Sequence, residues 1–150
     1  MKKILLPLLC LLVFLPDRGR DPSELHPVEV FCLTRQGDTF LLETDTGLRG
    51  MGTTPEKALQ DLKRHACAEV FADTARILLV DGDAEAQVPQ LYPLLRPGCK
   101  VYAVEGTGDL TRAAEFLRTR DSGPSLLDHR AGATHLPTLY IVEGEMTLAP

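Results

Sequence analysis

The sequence predicts an α/β fold: one domain with a mixed β-sheet flanked by about three helices. An α+β arrangement of the same elements fits the pattern as well. Three observations lead there. A capped amphipathic helix starts after Gly50 and leads into the continuous apolar run Ile77, Leu78, Leu79 and Val80. A run without alternation suits a strand buried on both faces. After it, strand-like and helix-like segments alternate to the end of the chain, and before it two β-rich segments flank a turn, as in a hairpin.

Residues 1–16 read as an address rather than part of the fold. Lys2 and Lys3 precede an apolar stretch at residues 4–15. That is the charged region and hydrophobic region of an export signal, and it is short of the ~20 residues a spanning helix needs. The segment is expected to act as a signal peptide or short membrane anchor. Cys10 offers a point for lipid attachment, although Pro7, Leu8 and Leu9 before it lack the small side chains of such signals. Residues 17–27 are polar, contain Pro22 and Pro27, and read as a linker. Residues 28–150 form the expected domain.

Within it, residues 28–33 look like a first strand, Gln36-Gly37-Asp38 a turn, and residues 39–44 a second strand. Residues 46–50 read as a loop into the helix. Thr53 as N-cap would put Glu56 in a capping box, and Thr54 as N-cap would put Pro55 at the first helical position. Leu59, Leu62, Ala66 and Val70 then share one face. After the buried strand, residues 84–95 read as an imperfect helix limited by Pro89 and Pro93. Residues 101–104 are a further strand, and Leu110, Ala113, Ala114 and Leu117 mark a helix capped by Asp109. Residues 122–133 are irregular, and residues 139–142 form the last strand, closed by Glu143-Gly144-Glu145.

Composition excludes some function classes. The net charge of −5 gives no basic face for a phosphate backbone or an anionic membrane, and the chain has no Trp for a base-stacking platform. Losing Lys2 and Lys3 with a leader would make the charge more negative still. Cys32, Cys67 and Cys99 form no C-x-x-C, so a redox pair is not expected. Cys32, in a strand, and Cys67, in a helix, read as small buried hydrophobes. The histidines His26, His65, His129 and His135 have no zinc spacing. No metal or cofactor is expected.

Two strand ends carry polar groups. Asp81, Gly82, Asp83, Ala84 and Glu85 follow the buried strand and read as the cap of the next helix. Gly106, Thr107, Gly108 and Asp109 stand between strand and helix as a phosphate loop would. Thr111 replaces the third glycine of that fingerprint, and a tight turn explains the first two. Ser122, Ser125, Asp128 and His129 contain the residue types of a nucleophilic triad without a nucleophile elbow. No catalytic residue is assigned.

One family resemblance can be drawn. Gly50-Met51-Gly52-Thr53-Thr54-Pro55-Glu56-Lys57-Ala58-Leu59-Gln60-Asp61-Leu62 resembles the glycine-led helix of Ger(x)C (GerAC-like) proteins, the C subunits of spore germinant receptors. The segment from Glu69 to Asp81, the strand at residues 101–104 and Ala113-Ala114-Glu115-Phe116-Leu117 resemble the elements that follow in that family. The resemblance covers roughly residues 17–120 and corresponds to the N-terminal domain alone, shortened and divergent. It implies a non-catalytic, exported, membrane-associated interaction domain acting in spore germination. Its place would be the outer face of the cytoplasmic membrane or the spore inner membrane, and its partners would be germinant-receptor subunits. The alternative reading is a small extracytoplasmic α/β enzyme or ligand-binding protein. Its site would lie at the strand ends near Asp81–Glu85 and Gly106–Asp109, where α/β sheets place ligands.

Overall fold

The computed structural model describes residues 25–120, 123–133 and 135–150, so the leader and most of the linker lie outside the described residues. Among the described residues, nine strands and three α-helices follow one another. They are β1 (Leu25–Pro27), β2 (Val30–Gln36), β3 (Thr39–Thr44), β4 (Arg49–Gly52), α1 (Pro55–His65), β5 (Glu69–Phe71), β6 (Ile77–Asp81), β7 (Lys100–Gly106), α2 (Leu110–Arg118), α3 (Leu126–Arg130), β8 (Thr138–Val142) and β9 (Glu145–Ala149). Short 3-10 segments cover Ala72–Thr74 and Gly82–Leu91. Seven strands form one mixed sheet in the order β4-β3-β2-β6-β7-β8-β9. The central strands β2, β6, β7 and β8 run parallel, and antiparallel partners flank them at both ends. This is the predicted α/β class with a mixed sheet. Leu25–Pro27, inside the segment read as a linker, pairs in parallel with β5.

The sheet has a core on each face. On the first face, Phe31, Leu33, Leu42, Leu78, Val80 and Val101 pack against Ala58, Leu59 and Leu62 of α1, Val88 and Leu91 of the long 3-10 segment, and Leu126 of α3. On the second, Cys32, Leu79, Tyr102, Val104 and Leu139 pack against Ala113, Ala114 and Leu117 of α2. The two sets alternate along β2, β6 and β7 because successive side chains of a strand point to opposite faces. All of Ile77 to Val80 is buried, as the unbroken apolar run predicts.

Covering elements are offset between the faces. The first face is covered over β4, β3, β2, β6 and β7, and the second over β2, β6, β7 and β8. The second face is therefore open over β3 and β4 and at the C-terminal ends of β2 and β6, and the first over β8 and β9.

Several expectations need correcting. Thr54, not Thr53, caps α1: its Oγ1 accepts from the Lys57 N–H at 3.2 Å with Pro55 behind it, and the Thr53 capping box is not formed. The helix ends at His65, because Ala66 already has extended backbone and its N–H closes on the Leu62 carbonyl. Val70 thus sits on β5, and Cys67 lies exposed in a loop rather than buried in a helix. The loop read at residues 46–50 contains the start of β4. The imperfect helix at residues 84–95 is 3-10 over Gly82–Leu91, with Pro89 inside it. The irregular stretch at residues 122–133 holds α3, and a further strand, β9, follows Glu143-Gly144.

Candidate functional site

The open part of the second face is the floor of a cleft of about 740 Å³. Register builds it from residues far apart in sequence. Cys32 stands beside Glu43, and Glu43 beside Arg49, so all three point to the same face. Asp81 stands beside Val104, and Val104 beside Leu139, so Asp81 points to that face as well. Thr34 lies two residues after Cys32 on the same side. One wall is the β3–β4 connection with Asp45, Gly47 and Leu48. The other is the turn from Gly106 through Leu110 at the start of α2.

Both walls are held by their own chemistry. Gly106 has a φ of 98°, and a Cβ there would sit 2.1 Å from the Ile141 carbonyl oxygen. Glycine, which has no Cβ, is the residue that permits this turn. Asp109 Oδ1 accepts from the Thr111 N–H at 2.8 Å and caps α2. On the opposite wall, Asp45 Oδ1 accepts from the backbone N–H groups of Glu29 and Val30, each at 3.3 Å. Thr111 Oγ1 donates to the Asp45 carbonyl at 3.4 Å and ties the walls together.

The cleft is acidic. Glu43, Asp45, Asp81 and Asp109 line it, with Arg49 as the one cation among the described residues, and Arg49 is bound to Glu43 at 2.6 Å. Asp45 and Asp109 are engaged by backbone donors. The Asp81 carboxylate makes no hydrogen bond or ion pair among the described residues, and it does not cap the 3-10 segment that follows it. Burial pushes the Cys32 thiol on the floor up to about 11, and Glu43 and Asp81 add to the rise against the Thr34 hydroxyl contact at 3.9 Å. That thiol is protonated at neutral pH and a poor nucleophile.

The structure brings Asp81 together with Gly106, Thr107, Gly108 and Asp109. It separates them from Gly82, Asp83, Ala84 and Glu85, which enter the 3-10 segment, with Ala84 buried in the first core. Ser125 and Asp128 form a capping box at α3, with Ser125 Oγ 2.6 Å from Asp128 Oδ2. His129 Nδ1 instead meets the Tyr92 hydroxyl at 2.6 Å, so Ser125, Asp128 and His129 are committed to structure, while Ser122 lies outside the described residues. Among the described residues no group of three or more His, Cys, Asp or Glu is arranged to hold a metal, and no helix is long and apolar enough to cross a membrane. Sequence reading missed Glu43, Asp45 and Arg49. Their signal was the alternation in Thr39–Thr44, where Phe40, Leu42 and Thr44 are buried and Glu43 faces the other way. No protein-family model, curated protein or solved structure matches this chain.

Proposed function

We propose that this chain is a non-catalytic interaction domain and that the cleft is where it binds, taking a basic side chain of a partner protein. The observation that supports this reading is the pairing of an open, partly apolar cleft with an unpartnered carboxylate, Asp81. A lysine or arginine laid across Val104, Leu110 and Ile141 would bury its methylene stem and set its charge against Asp81. An anion is disfavoured, because Glu43, Asp45 and Asp109 surround the same space. The protonated state of Cys32 fits a site in which no bond is made or broken.

The resemblance to germinant-receptor C subunits supplies the setting to examine first: an exported domain on the outer face of a membrane, beside integral-membrane subunits. The cleft equally supports the ligand-binding alternative, in which a free amine takes the place of the side chain.

The test uses NMR titration with a lysine- and arginine-rich peptide, with spermidine and with a glutamate-rich peptide. The basic peptide should shift the amides of Asp81, Thr107 and Asp109, and Asp81→Asn should weaken it about tenfold, as loss of one charge-assisted contact implies. Binding should fall with added salt. Preference for spermidine over the peptide would move the reading to a small-ligand protein. Shifts with the glutamate-rich peptide alone would overturn it. Cross-linking in growing cells and spores of the native host tests the setting; capture of no membrane protein would remove the germination assignment.

A further inference from the structure

The far edge of the sheet points to a second site of association, independent of the cleft. The two edges are treated differently. At β4, the Met51 N–H is taken by Asp61 Oδ2 of α1 at 3.0 Å, and α1 lies against the strand. At β9, no strand pairs with the outer side among the described residues. Its sequence, Glu145-Met146-Thr147-Leu148-Ala149, contains no lysine and no proline, and it pairs with β8 residue for residue, without a bulge. Open edges normally carry such protection, because their free backbone groups recruit another strand.

Turn geometry says which backbone groups are free. Glu143 and Gly144 both have positive φ, 51° and 84°, as in a two-residue type I′ hairpin. Val142 and Glu145, which flank that turn, are then a hydrogen-bonded pair, and bonded pairs alternate along the ladder. Tyr140 with Thr147 and Thr138 with Ala149 are the next bonded pairs. The N–H and C=O groups of Met146 and Leu148 consequently point outward, away from β8.

We propose that β9 pairs antiparallel with β9 of a second copy of this chain, about a two-fold axis at Thr147. This register sets Met146 against Leu148 of the other copy, and Leu148 against Met146. Each outward N–H then meets an outward C=O. A shift centred on Met146 or Leu148 would leave part of this set unmatched. Glu145 falls opposite Ala149, so no like charges are directly opposed.

Side chains agree with the backbone. Met146 and Leu148 lie on the second face, half-buried against the core beneath α2, and line a shallow groove with Phe116 and Arg120. The same residues of the second copy would extend that apolar row past Phe116. On the first face, Tyr140 and Val142 of β8 are 38% and 65% exposed, two of the large exposed hydrophobics of the molecule. Tyr140 stands directly behind Thr147, so pairing would bring the two open half-faces side by side.

The axis residue supplies the test. Two Thr147 side chains would face each other in a non-hydrogen-bonded pair, the closer kind, with Cα atoms about 4.5 Å apart. Thr147 is exposed in the single chain, so its replacement leaves the fold intact. Analytical ultracentrifugation of the full chain, kept reduced so that Cys67 cannot cross-link it, should show a concentration-dependent dimer. Thr147→Glu and Thr147→Lys should each weaken it more than tenfold with unchanged thermal melting, and an equimolar mixture of the two variants should associate again. A monomer at all concentrations would overturn the proposal. So would a dimer indifferent to both variants, or charge variants that fail to rescue one another.

Discussion

Gly50 and Gly52 illustrate how much of this architecture rests on single missing side chains. A Cβ on Gly50 would stand 2.2 Å from the Ala58 carbonyl oxygen, and one on Gly52 2.5 Å from the Ala58 nitrogen. Both obstacles are helix backbone, which cannot swing aside as a side chain can. Gly50→Ala should therefore push α1 off β4 and cost about 3 kcal/mol or more, at the upper end of overpacking effects, read by chemical denaturation. Gly82→Ala, where a Cβ meets nothing within 4 Å, is the control and should change stability by less than ~1 kcal/mol. The thiols give a second prediction at this scale. Burial holds Cys32 up to about 11 and Cys99 up to about 12, whereas Cys67 is exposed. Brief alkylation at pH 8 should label Cys67 and spare Cys32 and Cys99, as peptide mapping would show. The folded-state pKa of each buried thiol lies above its unfolded value of about 8.5. Their contribution is thus fully present below that pH and lost as pH rises through 11 to 12, because the unfolded chain gives up those protons first. Stability should fall over this window by a few kcal/mol. Cys32→Ala with Cys99→Ala should flatten that alkaline limb.

At the scale of elements, caps decide where helices begin. Thr54→Ala removes the acceptor for the Lys57 N–H and should cost about 1 kcal/mol. At α3, Ser125 holds the Asp128 carboxyl below its ordinary value through its hydroxyl and its backbone N–H. A lowered folded-state pKa stabilises above the unfolded value near 3.9 and is lost as pH falls through the folded one. Ser125→Ala should therefore weaken the molecule at neutral pH and make its acid unfolding less steep. Elements with strong signals were legible: the buried β6, the caps of α1 and α2, and the β2–β3 hairpin. The misses have physical causes. Val70 continued the stripe of Leu59 and Leu62 because all three enter one core, although the chain had already left the helix. β4 carries two glycines, which are depleted in strands, and is held by a helix instead. α3 has five residues, too few for a period to show, so the Ser125–Asp128 spacing was its single sign. β9 is only half-buried and hides its alternation.

The whole molecule explains why no short motif pointed to the cleft. The α/β class follows from local patterns, but the offset of the two helical layers is a property of packing. Among the described residues that offset leaves an open area on each face: the cleft over β3 and β4 and the C-terminal ends of β2 and β6, and the strip over β8 and β9. Glu43, Asp81 and Asp109 meet only because strands distant in sequence lie near one another in the sheet and α2 begins beside them. Their types gave no warning, since each also suits a solvated surface. The same offset makes a prediction about independence. Asp81 and Thr147 point to opposite faces, with β7 and β8 between their strands. Substitutions that share no partners act additively within about 0.5 kcal/mol. Asp81→Asn should therefore weaken binding of the basic peptide while leaving the dimer constant unchanged. Thr147→Glu should weaken the dimer more than tenfold while leaving peptide affinity within about twofold, and the double variant should show both effects at full size. Titration calorimetry and ultracentrifugation on the four proteins check this directly. Coupling beyond that range would mean that the two open areas communicate through the central strands, and that occupancy of the cleft is linked to association at the far edge.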